Sequence, residues 1–595
     1  RGLFVADILY LNPEGAPSVF FPPRSAFRPG LFADRRGYNF DGCAPETLIA
    51  RASVRNGRIV FPDGMSYRLL VLPRFRTMTP RLLAKLVELV EGGAALLGAP
   101  PDKSPSLENY PGCDRQIREL AAKLWPQGEV TAERRAGQGR VFYDTGAARR
   151  EAANPLAQAR WIWSSQADAA AQGASLYFQR DFSVEEPGSI EAAVVAITAD
   201  QAYELTLNGR FILASHVEQR VRRADVSALL RSGSNRFTVS VKKNADKSGR
   251  SGLIASLDLT SLAGTTTSIC TDRQWICSAA EDGPWLAAEE LGAYDMPPWK
   301  LNNSSIEQGD IYPSYAVTAG ILEKMGVGSD FESDAPLRYI HRRDGEEDFY
   351  FIANGEAREQ TAHCSFRVAD RQPEWWDALT GERRDLPVFR QRGGRTEIPM
   401  RLEPFESGFV VFRKPLTQSS GQRGVNFPRF ETVATLAAPW QVGFDPKWGG
   451  PEQVTFSRLD DWTQRPEEGI RNYSGKAAYR TTFDCGRLDS SLRYYFSLGR
   501  VANIALIKLN ERELGVVWCE PWRIAIPAGL LRPRGNALEI VVANLWINRL
   551  IADSGLPPQQ RLTWTTSNPF HPGDRLVESG LLGPVTLQAL TPHAV

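Results

Sequence analysis

The hydrophobic period of this chain changes near Ala157, and a change of period divides what the two sides can fold into. Before it, strand-like apolar runs alternate with amphipathic helical stretches. Leu3 to Leu11 reads as a strand, Ala44 to Ala52 as a helix, Tyr67 to Leu72 as a second strand, Pro80 to Glu91 as a helix and Ala94 to Gly98 as a third strand. Pro80 suits a first helical turn, where its missing N–H would have no acceptor, and Gly92-Gly93 supplies the stop. This rhythm predicts an α/β domain over 1–150, a flavodoxin-like parallel sheet covered on both faces, closing with a short strand at Gly139 to Tyr143.

Beyond Ala157 the period is 2. Leu176 to Phe182, Ile190 to Ala199, Ala202 to Leu207 and Asn235 to Val241 are alternating runs separated by Gly, Pro and Asn turns, which predicts a β-sandwich over 157–300. Arg338 to Arg342, Asp348 to Asn354, His363 to Val368 and Ser407 to Phe412 predict another over 305–415, and Gln418 to Arg423 reads as a linker. The last part, 425–592, repeats the first sandwich in order and spacing. Tyr177 to Phe182 answers Tyr479 to Phe483, Leu207-Asn208-Gly209 answers Leu509-Asn510-Glu511, and Leu229-Leu230-Arg231 leading to Asn235 answers Leu530-Leu531-Arg532 leading to Asn536. A multidomain α/β plus all-β chain follows, which suits 595 residues at roughly 100–200 per domain.

Composition removes several functions. Lys and Arg number 70 against 69 Asp and Glu, so no positive field gathers nucleic acid or an anionic membrane. The longest apolar runs, such as Leu69 to Pro73 and Ala94 to Pro101, fall far short of the roughly 18 residues that span a bilayer. The chain starts at Arg1 on a buried-strand pattern without a leader, which reads as a segment of a longer protein. Seven scattered cysteines include no CxxC; Cys270 and Cys277 flank a stretch short enough for a hairpin staple, although two independent buried thiols are the commoner arrangement.

The α/β domain lacks the chemistry its fold often carries. Residues 1–150 contain no His, so no Cys-His elbow of the amidotransferase kind exists there and the domain reads as non-catalytic; no GxSxG stands there, and Asn12-Pro13-Glu14-Gly15 lacks the glycines that admit a pyrophosphate. His216, His341, His363, His571 and His593 include no helical i, i+4 pair for a metal. His341 beside Arg342 and Arg343 would suit a carboxylate or sugar hydroxyls, but an internally paired strand face outweighs that reading. Glycoside hydrolysis needs two carboxylates across a cleft. Glu374 with Asp377, and Glu467 with Glu468, are poor pairs because sequence neighbours seldom face each other across one. Arg549 and Asp553 have helical ion-pair spacing. Fifteen Trp suit jelly-roll cores or sugar-stacking platforms; Trp161, Trp163, Trp518, Trp522 and Trp546 lie on the repeated sandwiches, and burial between the sheets is the default for each.

Several strings together resemble a known family: Val5 to Tyr10, Asp63 to Pro73, Ser104 to Leu107, Tyr339 to Arg343, Glu374 to Asp377 with Thr380-Gly381, Phe409 to Arg413, Asn544 to Ile551 and Ser579 to Val585. They resemble the part of α-L-rhamnosidases of glycoside hydrolase family 106 that lies C-terminal to the catalytic barrel. The resemblance implies galactose-binding-like jelly rolls for 157–300, inserted, and for 425–592. It also implies calcium, at an unknown site, and catalytic glutamates on an upstream (β/α)8 barrel. No eightfold strand-helix repeat occurs here, so no catalytic residue is transferred and the chain alone is expected to hydrolyse nothing. A rhamnose-containing oligosaccharide or polysaccharide is the expected ligand, with Trp518, Trp522, Trp546 and Arg549 as its contact candidates, and a periplasmic or extracellular location follows from that substrate. The alternatives are a non-catalytic carbohydrate-binding or scaffold protein and a relative of family 2 β-galactosidases.

Overall fold

In a computed structural model, the described residues are 2–15, 20–28, 34–125, 133–143, 154–164, 175–215, 220–242, 251–261, 265–301, 311–416, 420–421, 424–437 and 439–591. The strand-helix rhythm forms β1 (Ile8–Leu11), β2 (Phe40–Cys43), α1 (Pro45–Arg51), β3 (Leu69–Val71), α2 (Pro80–Glu91), β4 (Ala95–Gly98), α3 (Gly112–Leu124), β5 (Glu133–Ala136) and β6 (Gly139–Tyr143). The sheet order is β5-β6-β4-β3-β1-β2, parallel except for the β5 edge. Alternate residues feed two cores. Leu9, Leu11, Leu70 and Leu96 pack on Leu83 and Leu86 of α2 and Ile117 of α3, while Ile8, Tyr10, Leu69, Val71 and Leu97 pack on Tyr312, Ile321 and Leu322. Burial on both faces explains why these strands read as continuous apolar runs.

The second face is closed by the helix Tyr315–Lys324, so this stretch differs from the sandwich expected over 305–415; the strands of that sandwich begin at Phe331. The chain leaves the α/β layer after β6, builds a sandwich, and returns to finish the layer. In that sandwich β7 (Ser175–Val184) pairs β10 (Gly233–Lys242), which pairs β8 (Tyr203–Leu207), which turns into β9 (Arg210–Ser215). Together these elements make one compact unit, Leu3–Asp330.

The other unit, Phe331–Val595 with the first two residues, is all β in its layers. One sandwich has strands from Phe331 to Pro415 around Tyr350, Ile352, Phe366, Ile398 and Val410. The expected linker lies outside the described residues except Ser420-Gly421. The final sandwich pairs β11 (Lys476–Phe483) with β14 (Asn536–Ala543), β14 with β12 (Ile504–Leu509), and β12 with β13 (Arg512–Val517), over a core containing Trp440, Trp462, Tyr479 and Phe496.

This is the pairing of β7, β10, β8 and β9 again, and the repeat extends to single hydrogen bonds. The β8–β9 turn has Asn208 at φ 54°, and the β12–β13 turn has Asn510 at φ 48°. Asn208 Nδ2 donates to Leu229 O at 3.1 Å and Asn235 Oδ1 at 2.9 Å; Asn510 Nδ2 donates to Leu530 O at 2.9 Å and Asn536 Oδ1 at 3.2 Å. Arg236 N and Ala537 N each donate 3.0 Å to the turn Asn Oδ1. Asn tolerates this backbone, and its amide satisfies buried groups that the turn would otherwise strand.

Candidate functional site

Open parallel sheets bind ligands beyond the carboxyl ends of their strands, where the strand order reverses. Here that point lies between β1 and β3, and a carboxylate of the chain itself reaches the start of α2 beside it. Glu14, just after β1, accepts from Thr79 N at 2.7 Å and Thr79 Oγ1 at 2.6 Å at the start of α2. The helix N-terminus that would favour a ligand's anion already holds a carboxylate.

The other sequence candidates of the Phe331–Pro415 sandwich are structural. His341 is buried and stacked on Tyr350 at 3.8 Å, and its Nε2 meets Asp348 Oδ1 at 2.8 Å, where Arg343 Nε also arrives at 2.7 Å. Burial pushes the Asp348 carboxyl up, but the hydrogen bonds from His341 and Arg343 outweigh it and hold the group below its ordinary value. Glu374 is buried under Arg413 at 2.7 Å and Lys414 at 2.8 Å, whereas Asp377 accepts from Leu379 N and Thr380 N of its own turn. Glu467 pairs Arg465 at 2.7 Å. None of these pairs opposes another carboxylate across a cleft.

The tryptophans separate by burial. Trp161 is fully buried and stacked on Trp299 at 4.2 Å, Trp163 packs against the sandwich core beside Phe178, and Trp522 is half-buried with an unpartnered Nε1. Trp518 and Trp546 are 61% and 62% exposed. Register brings these two to one end of one sheet. Val517, before Trp518, pairs Ala505; Ile504 pairs Ala543, which leads through Asn544 and Leu545 to Trp546. The long connection after β14 is pinned by buried amides. Asn544 Nδ2 donates to Tyr473 O at 2.8 Å and Ser579 Oγ at 3.0 Å, and Asn548 Nδ2 donates to Val577 O at 2.7 Å. These bonds hold α4 (Ile547–Ser554), on which Arg549 and Asp553 form the expected ion pair, 3.1 Å from Nε to Oδ1. Sequence reasoning did not single out Trp564, 81% exposed on the same connection; its polar neighbours Thr563, Thr565 and Thr566 were the available signal.

The alpha-L-rhamnosidase model of glycoside hydrolase family 106 matches residues 1–160 and 298–391. Both segments are similar to that family, and the rest of the chain lies outside the match. The break between them coincides with the inserted sandwich, whose strands run from Arg160 to Ala293. A putative beta-glucuronidase of Formosa agariphila is 23% identical over 689 residues, covering 99% of this chain and 56% of that protein. An alpha-L-rhamnosidase of Streptomyces avermitilis is 30% identical over 158 residues, 23% of this chain and 15% of that protein. The structure of a rhamnosidase from Novosphingobium sp. PP1Y superposes with a TM-score of 0.60 and 22% identity over 99% of this chain and 39% of that one, a likeness of fold. The chain therefore spans 56% and 39% of the two relatives it matches end to end.

The calcium that family 106 implies finds no donor cluster among the described residues, where no three His, Cys, Asp or Glu side chains converge. Cys270 and Cys277 are separate thiols on strands of different sheets. No helix of the described residues is long and apolar enough to cross a membrane.

Proposed function

We propose that this chain is an accessory portion of an α-L-rhamnosidase-like glycoside hydrolase acting on rhamnose-containing glycans, working beside a catalytic barrel supplied by other residues of the same protein. The observation that carries this reading is the family 106 match on both sides of the inserted sandwich. It is supported by the 39% share of the Novosphingobium rhamnosidase that the chain covers, and by the lack of a (β/α)8 repeat among the described residues. On this reading the parallel sheet is a flavodoxin-like layer with Glu14 at the start of α2, and the repeated sandwiches are galactose-binding-like jelly rolls. Trp518 and Trp546 would present indole faces to sugar rings, with Trp522 and Arg549 behind them. Calcium and the catalytic glutamates would belong with the barrel, and the substrate places the protein in the periplasm or outside the cell.

The test is an assay of the 595-residue chain on an aryl α-L-rhamnoside. No rhamnose should be released, whereas the longer protein should release it; turnover by the chain itself would sink the accessory reading. The exposed indoles also suit a carbohydrate-binding protein without chemistry, which inactivity of the longer protein would favour.

A further inference from the structure

Arg549 is held in an unusual state. Its side chain is 11% exposed and that of Asp553 2% exposed. Nε lies 3.1 Å from Asp553 Oδ1, yet neither atom has hydrogen-bond geometry to any described partner. The other carboxylate oxygen is committed, since Asp553 Oδ2 accepts from Thr563 N at 2.8 Å and Thr563 Oγ1 at 2.6 Å. Asp553 is therefore fixed by Thr563 and meets the guanidinium as an ion pair at Nε. Among the described residues nothing accepts from the two terminal nitrogens of Arg549, and neither is among the buried unpartnered atoms, so both reach solvent. The backbone is anchored as well, through Arg549 N to Ser474 Oγ at 3.3 Å.

Terminal donors that reach solvent are hydrated in the free protein and stay available to an acceptor from outside. The planar fork of the guanidinium, paired with a carboxylate at Nε, matches two oxygens of one acceptor group. The surroundings suit a sugar. Trp546 stands one turn before Arg549 at 62% exposure, and Trp564 follows the Thr563 that fixes Asp553. Indoles stack on the apolar faces of pyranose rings.

We propose that the α4 connection is a subsite for an acidic glycan, in which the terminal nitrogens of Arg549 take the carboxylate of a uronate and Trp546 stacks on the adjoining ring. This rests on the reading that the chain handles glycans, and adds the chemical class of the residue it recognises. Asp553 already balances one charge, so selectivity should come from the geometry of the fork more than from net charge.

The test is calorimetric titration of the full chain with a rhamnose–glucuronate disaccharide and with the same disaccharide carboxyl-reduced to the alcohol. The acid should bind about tenfold or more tightly than the alcohol, the difference a charge-assisted bidentate contact provides. Arg549→Gln should abolish that preference, so that acid and alcohol bind alike, whereas Trp546→Ala should weaken both ligands and keep the preference. The wild-type comparison needs no variant and so stands even where Arg549→Gln unfolds. Equal affinity of acid and alcohol overturns the carboxylate subsite and leaves the glycan-handling reading intact. Binding of neither ligand overturns both.

Discussion

His341, Arg342 and Arg343 show how a residue's company decides its role. As a sequence the triplet is a binding patch or a paired strand face, and the partner that settles it, Asp348, comes from the next strand across a hairpin. Removing that carboxylate takes a hydrogen-bond partner from the buried His341 ring and from the Arg343 guanidinium. Asp348→Ala should therefore destabilise its unit by about 3 kcal/mol in urea unfolding at pH 7. The folded carboxyl lies below its ordinary value, so this contribution is present above the unfolded pKa and is lost as pH falls through the folded one. Glu406 has the opposite sign. Burial raises it to about 7, the neighbouring Glu403 charge adds to the rise, and the N–H of Glu403, which donates to Oε2 at 2.7 Å, opposes it. Its stabilising contribution is complete below the ordinary value of 4.5 and is lost as pH rises through about 7. Glu406→Gln should match the wild type in urea unfolding at pH 4.5 and exceed it at pH 8, by on the order of 1–3 kcal/mol.

At the scale of elements, strands and helices with one strong signal were legible. Thr79 caps α2 by accepting from Leu82 N at 3.3 Å, Pro80 opens the helix, and Leu82, Leu83, Leu86, Val87, Leu89 and Val90 are buried as the periodicity requires. Other elements escaped, three of them around the α/β layer: β2 contains Asp41 and Gly42; α3 starts at Pro111-Gly112, although its buried Cys113, Ile117, Ala121 and Leu124 keep helical spacing; and the helix Tyr315–Lys324 is apolar without a clear stripe. Only parallel pairing with β1 and a face of the sheet to cover give the first and last their conformations. The paired turns give a sharper test. Asn510→Ala loses both side-chain amide donations and places Ala at φ 48°, so it should cost about 2 kcal/mol in urea unfolding. Asn510→Gly should cost less, because only the hydrogen bonds are lost. At Gly139 a Cβ would lie 2.2 Å from Val90 O and 2.3 Å from Ala94 O, both backbone atoms. Gly139→Ala should separate β6 from the end of α2 and lower the melting temperature.

For the whole molecule, the inserted sandwich makes a prediction about autonomy. Its two ends meet, since Leu156 and Ala159 share a core cluster with Trp299 and Leu301, and Trp161 stacks on Trp299. Adjacent ends around a separate core are the mark of an independently folding insertion. A fragment of residues 154–301 should unfold cooperatively by circular dichroism, and a fragment that remains disordered would show that the sandwich needs the layer it interrupts. The sequence by itself determined the change from strand-helix rhythm to strand alternation, the repeat of one sandwich in another, and that residues 1–150 hold no His, no GxSxG elbow and no GxGxxG loop. These are local periods and residue inventories, written in consecutive side chains. Only the tertiary structure decided that Glu14 accepts from Thr79 at the start of α2, that Trp161 is core while Trp518 and Trp546 face water, and that Arg549 pairs an Asp553 already fixed by Thr563. The physical reason is that burial and partnering depend on residues brought together across loops, and for Trp161 and Trp299 those residues lie 138 positions apart.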